Sequence, residues 1–285
     1  MSSIPIVDAH VHLWDLNRMA YPWLEDLPSI HETHRLEEYD AAIGEAPVEK
    51  LVFVECTVSF DNEISRQEVQ WVSSLAENDE RIHGVVAHAS LRRGRAGRDH
   101  LEWLAQHPLV TGVRRILQDE PDGFMQQPGF VEGVRMLAAF DFTFDLTVQA
   151  SQLSSVIELV DACPEVTFVL DHIGKPNIRE GAFELWSNDL SALAERPNVV
   201  CKLSGVLTEA DLEGWTTAEV RPYLDHAIDQ FGFDRLMFGG DWPVLRLAAD
   251  YPTWLEVLSE TLNRYTEDEK RQLFHRTAER VYGLD

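Results

Sequence analysis

The chain has 285 residues, 45% of them apolar and 26% charged, which supports a large buried core and excludes a disordered or fibrous protein. Its 49 Asp and Glu against 24 Lys and Arg give a formal net charge of −25 at pH 7, the opposite of what a nucleic-acid groove or an anionic membrane surface requires. Carboxylates run along the whole length without an acidic tail, so the surface is expected to be solvated and acidic, as suits a halophilic host or an acidic mesophilic enzyme.

Short runs rich in Val, Ile, Leu and Phe predict eight buried parallel strands. The first, residues 6–9, runs into His10 and His12, whose spacing on an extended chain points both imidazoles to one face. Two imidazoles so placed can ligate a divalent metal or polarise a carbonyl, although an HxH pair alone is more often two histidines satisfied by backbone carbonyls. The connection from Trp14 to about Leu36 is long and aromatic, and is expected to form a wall or lid. The second strand, 51–55, ends in Glu55-Cys56-Thr57 and precedes a helix predicted over 61–78. A third strand, 82–87, is followed by Arg92, Arg93 and Arg95, which could reach a pocket at that end.

The fourth strand, 110–114, ends in Arg114-Arg115, where a guanidinium offers fork donors to a carbonyl or a developing oxyanion. The fifth, 142–147, leads to a helix over 151–162. The sixth, 167–170, ends in Asp171-His172. A seventh strand over 199–203 and a helix over 218–231 lead to the eighth, 236–238, which ends in Gly239-Gly240-Asp241-Trp242. A carboxylate in that tight turn, near imidazoles, can take a proton from an attacking water. Thr266 with Glu269 three residues on predicts a capped final helix to about Tyr282.

Eight strands alternating with helices, and no GxGxxG after the first, predict an α/β fold of the (β/α)8 TIM-barrel type, with residues 1–285 as one domain. Active sites of such barrels lie at the carboxyl ends of the strands, where His10, His12, Glu55, Arg114, His172 and Asp241 all fall. Cys56, Cys163 and Cys201 form no CxxC pair, so neither disulfides nor a zinc knuckle is expected and a reducing compartment fits. Without a signal-like start or eighteen successive apolar residues, the protein is expected to be soluble and cytoplasmic, with a homo-oligomer compatible.

In order along the chain, DAHVHLWD (8–15), GVR (112–114), LDHIGKP (170–176), KLSG (202–205) and MFGGDWPV (237–244) resemble the amidohydrolase-2 branch of the amidohydrolase superfamily. Within it the resemblance is strongest to sugar-lactone hydrolases of the L-fuconolactonase and L-rhamnono-lactonase kind. It implies a distorted barrel and hydrolysis of an aldonolactone in carbohydrate catabolism. Asp241, His172 and Arg114 are then the expected catalytic residues, with Asp241 activating water and the imidazoles and Arg114 stabilising the oxyanion. Glu55, Trp14, Lys175 and Trp242 are the expected substrate contacts, the indoles (with Trp23) as stacking surfaces for a neutral polyol.

The superfamily's two-metal sites use a carboxylated Lys on strand four and a His on strand five. Here those strands end in Arg114-Arg115 and Thr147-Val148-Gln149, which argues against a binuclear centre. One divalent ion, Zn or Mn, on His10, His12, His172 and Asp241 is compatible with the resemblance, and so is metal-independent catalysis. Rival readings are a metal-dependent decarboxylase or pyrone-dicarboxylate lactonase of the same superfamily, and a non-catalytic binding barrel.

Overall fold

Strands covered on both faces must be apolar almost throughout, and the apolar runs of this sequence become one sheet. The computed structural model describes residues 4–56 and 61–284, without the side chains of 92, 93 and 96. Thr57, in the predicted ending of the second strand, lies outside the described residues. The strands β1 (Ile6–Val11), β2 (Val48–Val54), β3 (Ile82–His88), β4 (Val110–Ile116), β5 (Thr143–Thr147), β6 (Phe168–Leu170), β7 (Val199–Leu203) and β8 (Leu236–Phe238) pair in sequential order. Every pairing is parallel.

Crossover helices pack outside: α1 (Leu36–Ile43), α2 (Asn62–Ala76), α3 (Arg98–Leu104), α4 (Pro128–Arg135), α5 (Leu153–Ala162), α6 (Phe183–Ala194), α7 (Thr217–Phe231) and α8 (Tyr251–Thr261). This is the (β/α)8 architecture expected from the alternation. No helix among the described residues is long and apolar enough to cross a membrane.

Closure of the barrel is narrow. Past the end of β8, Asp241 N–H donates to His10 O at 2.8 Å and His12 N–H donates to Trp242 O at 2.8 Å, joining β1 to the turn after β8. The β1–β2 register shifts between Asp8 and Val11. Val7 and Ala9 accordingly fill the lower interior with Val52, Val54, Val86, Val169, Val200 and Met237, while His10 and His12 turn into the mouth.

The predicted final helix is divided. Its capping box forms, with Thr266 N–H donating to Glu269 Oε2 at 2.7 Å, but α9 (Glu267–Arg271) passes through a π-helical turn (Gln272–Arg276) before α10 (Thr277–Tyr282). The wider turn admits an extra residue and seats Leu273 and Phe274 in the core, Phe274 against Phe238 at 5.3 Å between ring centres. Tyr282 at the end of α10 and Leu284 just beyond it plug the lower interior, and Lys50 Nζ donates to Leu284 O and Glu279 Oε1, each at 2.7 Å. The Tyr282 hydroxyl reaches inward to donate to Asp145 Oδ2 at 2.6 Å.

Tyr282→Phe removes a donor from a fully buried carboxylate, so we expect a loss of about 1–3 kcal/mol. It would be read as a lower urea midpoint at unchanged m value; an unmoved midpoint would show that Asp145 does not need the hydroxyl.

Candidate active site

His10 and His12 leave β1 side by side, with their Nε2 atoms 3.2 Å apart. His12 Nδ1 lies 2.8 Å from Val54 O, which fixes its donor on Nδ1 and turns Nε2 to the mouth. His10 Nδ1 lies 3.2 Å from Asp171 Oδ1 and 3.3 Å from Lys202 Nζ. Asp241 brings Oδ1 within 3.6 Å of both Nε2 atoms and 3.9 Å of His172 Nε2. His172 is oriented from behind by Ser204 Oγ, 2.9 Å from its Nδ1.

Backbone strain is concentrated at these positions. Asp241 has φ +53, and His172, Ile173, Gly174 and Lys175 form a run at +56, +48, +74 and +46. Non-glycine residues there cost about 1–3 kcal/mol each and persist only where the surroundings over-determine them. Asp241 is so held: its N–H bonds His10 O, and its carbonyl accepts from Leu245 N–H at 2.8 Å. At Gly205, φ +57, a Cβ would lie 2.4 Å from His172 Nδ1 and 2.9 Å from Asp241 Oδ2, so glycine is what lets those groups meet.

Around this cage runs a chain of buried charges. Lys202 Nζ sits 2.6 Å from Asp145 Oδ2 and 3.1 Å from Asp171 Oδ1, and Thr147 Oγ1 donates to Asp171 Oδ2 at 2.8 Å. Arg114 Nε donates to Glu55 Oε1 at 3.0 Å, its Nη2 to Glu55 O, and its Nη1 faces His10 Nε2 at 3.4 Å and Asp171 Oδ2 at 3.6 Å. Burial pushes the Glu55 carboxyl up despite the Arg114 charge beside it. Burial likewise drives His10 well below its ordinary range and His172 down to about 4, against the pull of neighbouring Asp charges. Burial would raise Asp241, but His172, His12 and His10 outweigh it and hold the carboxyl low and ionised.

Three imidazole nitrogens thus surround one carboxylate oxygen, an arrangement relieved by a cation or a shared proton. Zinc bonds of about 2.0–2.1 Å in a tetrahedron put donor atoms about 3.3 Å apart. The separations among His10 Nε2, His12 Nε2 and Asp241 Oδ1, 3.2–3.6 Å, are close to that, so these three fit a divalent ion; His172, 3.9 Å from Asp241 Oδ1, lies outside that set and does not complete the expected four-ligand site.

The structure thus brings His10, His12, His172, Asp241 and Arg114 together. Two expectations change. Glu55 is fully buried as the partner of Arg114, so only Nη1 of the fork is turned to the cage; Glu55 Oε2 has no hydrogen-bond partner among the described residues. Trp14 and Trp242 are enclosed instead of standing as sugar platforms. The Trp14 indole donates to Glu32 O at 2.7 Å and packs on Trp23 and His34, while Trp242 lies against His34 and Tyr39.

The long loop is therefore a packed wall, paired Trp14 to His34 and tied by the half-buried Trp23 to Cys56 O at 3.0 Å. Arg95 is exposed and pairs with Glu132 on α4; the side chains of Arg92 and Arg93 lie outside the described residues. Lys175 stands at the mouth, half-buried. Asp171, Lys202 and Asp145 were not singled out from sequence. The available signal was a lone Lys inside the apolar run Val199–Leu203, since a buried ammonium needs carboxylates.

The model of the amidohydrolase family matches residues 7–284, and the chain belongs to that family. It is 32% identical over 290 residues to an L-fucono-1,5-lactonase of Burkholderia multivorans, covering 98% of this chain and 96% of that protein. It is 30% identical over 285 residues to an L-fucono-1,5-lactonase of Burkholderia ambifaria, with the same coverage. A crystal structure of an amidohydrolase from Burkholderia multivorans with bound zinc superposes with a TM-score of 0.89 at 31% identity, over 99% of this chain and 100% of that one.

Burial lowers His88 to about 3 and His100 to about 4, as it does His172. All three rings should stay neutral from pH 8 to about pH 5 in the metal-free protein, which imidazole nitrogen NMR shifts would report. A protonation step near pH 6.5 at these positions would contradict their burial.

Proposed function

We propose that the protein hydrolyses a neutral aldonolactone, of the L-fucono- or L-rhamnono-lactone kind, to the aldonic acid. The carrying observation is the cage in which Asp241 Oδ1 stands within 4 Å of three imidazole nitrogens at the barrel mouth. The two relatives named L-fucono-1,5-lactonase, aligned over nearly their whole length, support the substrate class.

Asp241 is ionised and accepts a proton from the water that attacks the lactone carbonyl. The Nη1 donors of Arg114, next to His10, meet the oxygen on which negative charge develops. Collapse breaks the bond to the ring oxygen, and Asp241 returns its proton to that alkoxide. A lactone is already an activated ester, so water suffices as nucleophile and no covalent intermediate is required. Within the buried network Glu55, Asp145, Asp171 and Asp241 are set against Lys202 and Arg114, a negative surplus that favours a divalent ion on His10, His12 and Asp241. Such an ion would polarise the carbonyl and lower the pKa of water. The bound zinc of the similar Burkholderia multivorans amidohydrolase supports zinc as that ion.

A pH-indicator screen of L-fucono-, L-rhamnono-, D-galactono- and D-arabinono-lactones tests the reading: acid release from at least one is expected, and none from any would reject it. Asp241→Asn should keep the fold and lower kcat by at least about 10³-fold. Near-normal turnover would remove Asp241 from the mechanism. Dialysis against a chelator should lower turnover, with recovery on adding zinc; full activity in metal-free protein would assign the whole oxyanion role to Arg114 and the imidazoles.

A further inference from the structure

Lys175 is three residues beyond His172 on the same left-handed turn, so the segment that places a cage imidazole also places an ammonium at the opening. Its Nζ lies 3.0 Å from Gln118 Oε1 and 3.6 Å from Glu209 Oε1. Gln118 follows β4, Lys175 follows β6, and Glu209 stands on the loop after β7 that contains Gly205, the glycine pressed against His172 and Asp241. Three separate mouth loops thus meet in one polar trio. The Lys175 and Glu209 side chains are 20% and 19% exposed, enough to touch a ligand and buried enough to be held. Burial raises the Glu209 carboxyl and the Asp241 charge adds to that, while Lys175 opposes both.

We propose that Lys175 and Glu209, braced by Gln118, form a hydroxyl-binding subsite that admits neutral polyhydroxy lactones and excludes lactones bearing a carboxylate or sulfonate. The inference rests on the lactonase reading above. A hydroxyl both donates and accepts, so it can bond Glu209 and Lys175 at once, whereas a carboxylate only accepts and would be set against Glu209 with Asp241 behind it. Three other cations near the opening are already matched, Arg114 by Glu55 and Asp171, Arg115 by Glu120, and Arg246 by Glu32, whereas Arg179, whose backbone N–H donates to Glu209 O at 3.1 Å, has an exposed side chain. The three paired guanidiniums are not left to compensate an anionic substituent, so the balance among the half-buried charges at the opening is set by Lys175 and Glu209.

The test compares D-galactono-1,4-lactone with D-galactaro-1,4-lactone, which differ in a terminal CH2OH against a carboxylate. Wild type should favour the neutral member by at least about 50-fold in kcat/KM. Glu209→Gln frees the Lys175 charge and should shift that ratio toward the anionic lactone by about 10-fold or more, chiefly through KM; Lys175→Gln should shift it the other way. Opposite shifts distinguish the subsite from a structural role, which would scale both substrates alike, and thermal melts of both variants identify any loss of fold. A wild-type preference for the anionic member, or equal effects of each variant on both lactones, overturns the inference while leaving the lactonase reading intact. Wild type opening neither this pair nor any screened lactone rejects the underlying reading and the subsite with it.

Discussion

Two backbone hydrogen bonds across the β1–β8 seam, Asp241 N–H to His10 O and His12 N–H to Trp242 O, hold the rest of the site in place. They close the barrel and insert residue 241 between residues 10 and 12. The carboxylate therefore stands beside both imidazoles as a consequence of the fold. The strained φ at Asp241 follows, because the chain must leave β8, meet β1 and turn outward within a few residues. Gly239 and Gly240 make that approach feasible: a Cβ at 239 would fall 2.8 Å from His10 Cβ, and one at 240 would fall 2.5 Å from Asp8 Oδ2. Asp8 anchors the seam from below, accepting from Gly240 N–H, His10 N–H and the Tyr39 and Tyr251 hydroxyls.

Beneath the cage, the barrel interior carries ionic groups in addition to the aliphatic layer formed by Val7, Ala9 and their neighbours. Burying Lys202 with Asp145 and Asp171 contributes little net stability, because desolvation offsets most of the attraction. What the arrangement supplies is orientation. Asp171 lies against His10 Nδ1, Lys202 holds Asp171, and Asp145 holds Lys202, with Tyr282 from α10 completing the series. The rim imidazole is thereby linked to the plug at the opposite end of the barrel by a column of direct contacts.

Much of this was legible in the sequence. All eight strands were readable because parallel strands buried on both faces are uninterrupted apolar runs, and the alternation with helices then left the barrel as the simplest closure. The cage was legible because its members fall at the carboxyl ends of four strands, His10 and His12 at β1, Arg114 at β4, His172 at β6 and Asp241 at β8. The roles of the aromatic residues were not: Trp14 and Trp242 look the same in sequence whether they stack on a ligand or on each other's loop, and their burial decides it. Glu55 was located correctly at the end of β2, but its pairing depends on the direction of the Arg114 side chain, 59 residues away. The π-helical turn at Gln272–Arg276 left no mark in a pattern that fits a straight helix equally well.

The left-handed run from His172 to Lys175 links two tasks that a chemist would prefer to adjust separately. Any substitution that relaxes its dihedral angles moves an imidazole of the reactive centre together with the ammonium at the entrance. On the proposed subsite, a change of selectivity is therefore better begun at the side chains of Gln118 and Glu209, which lie outside that left-handed run.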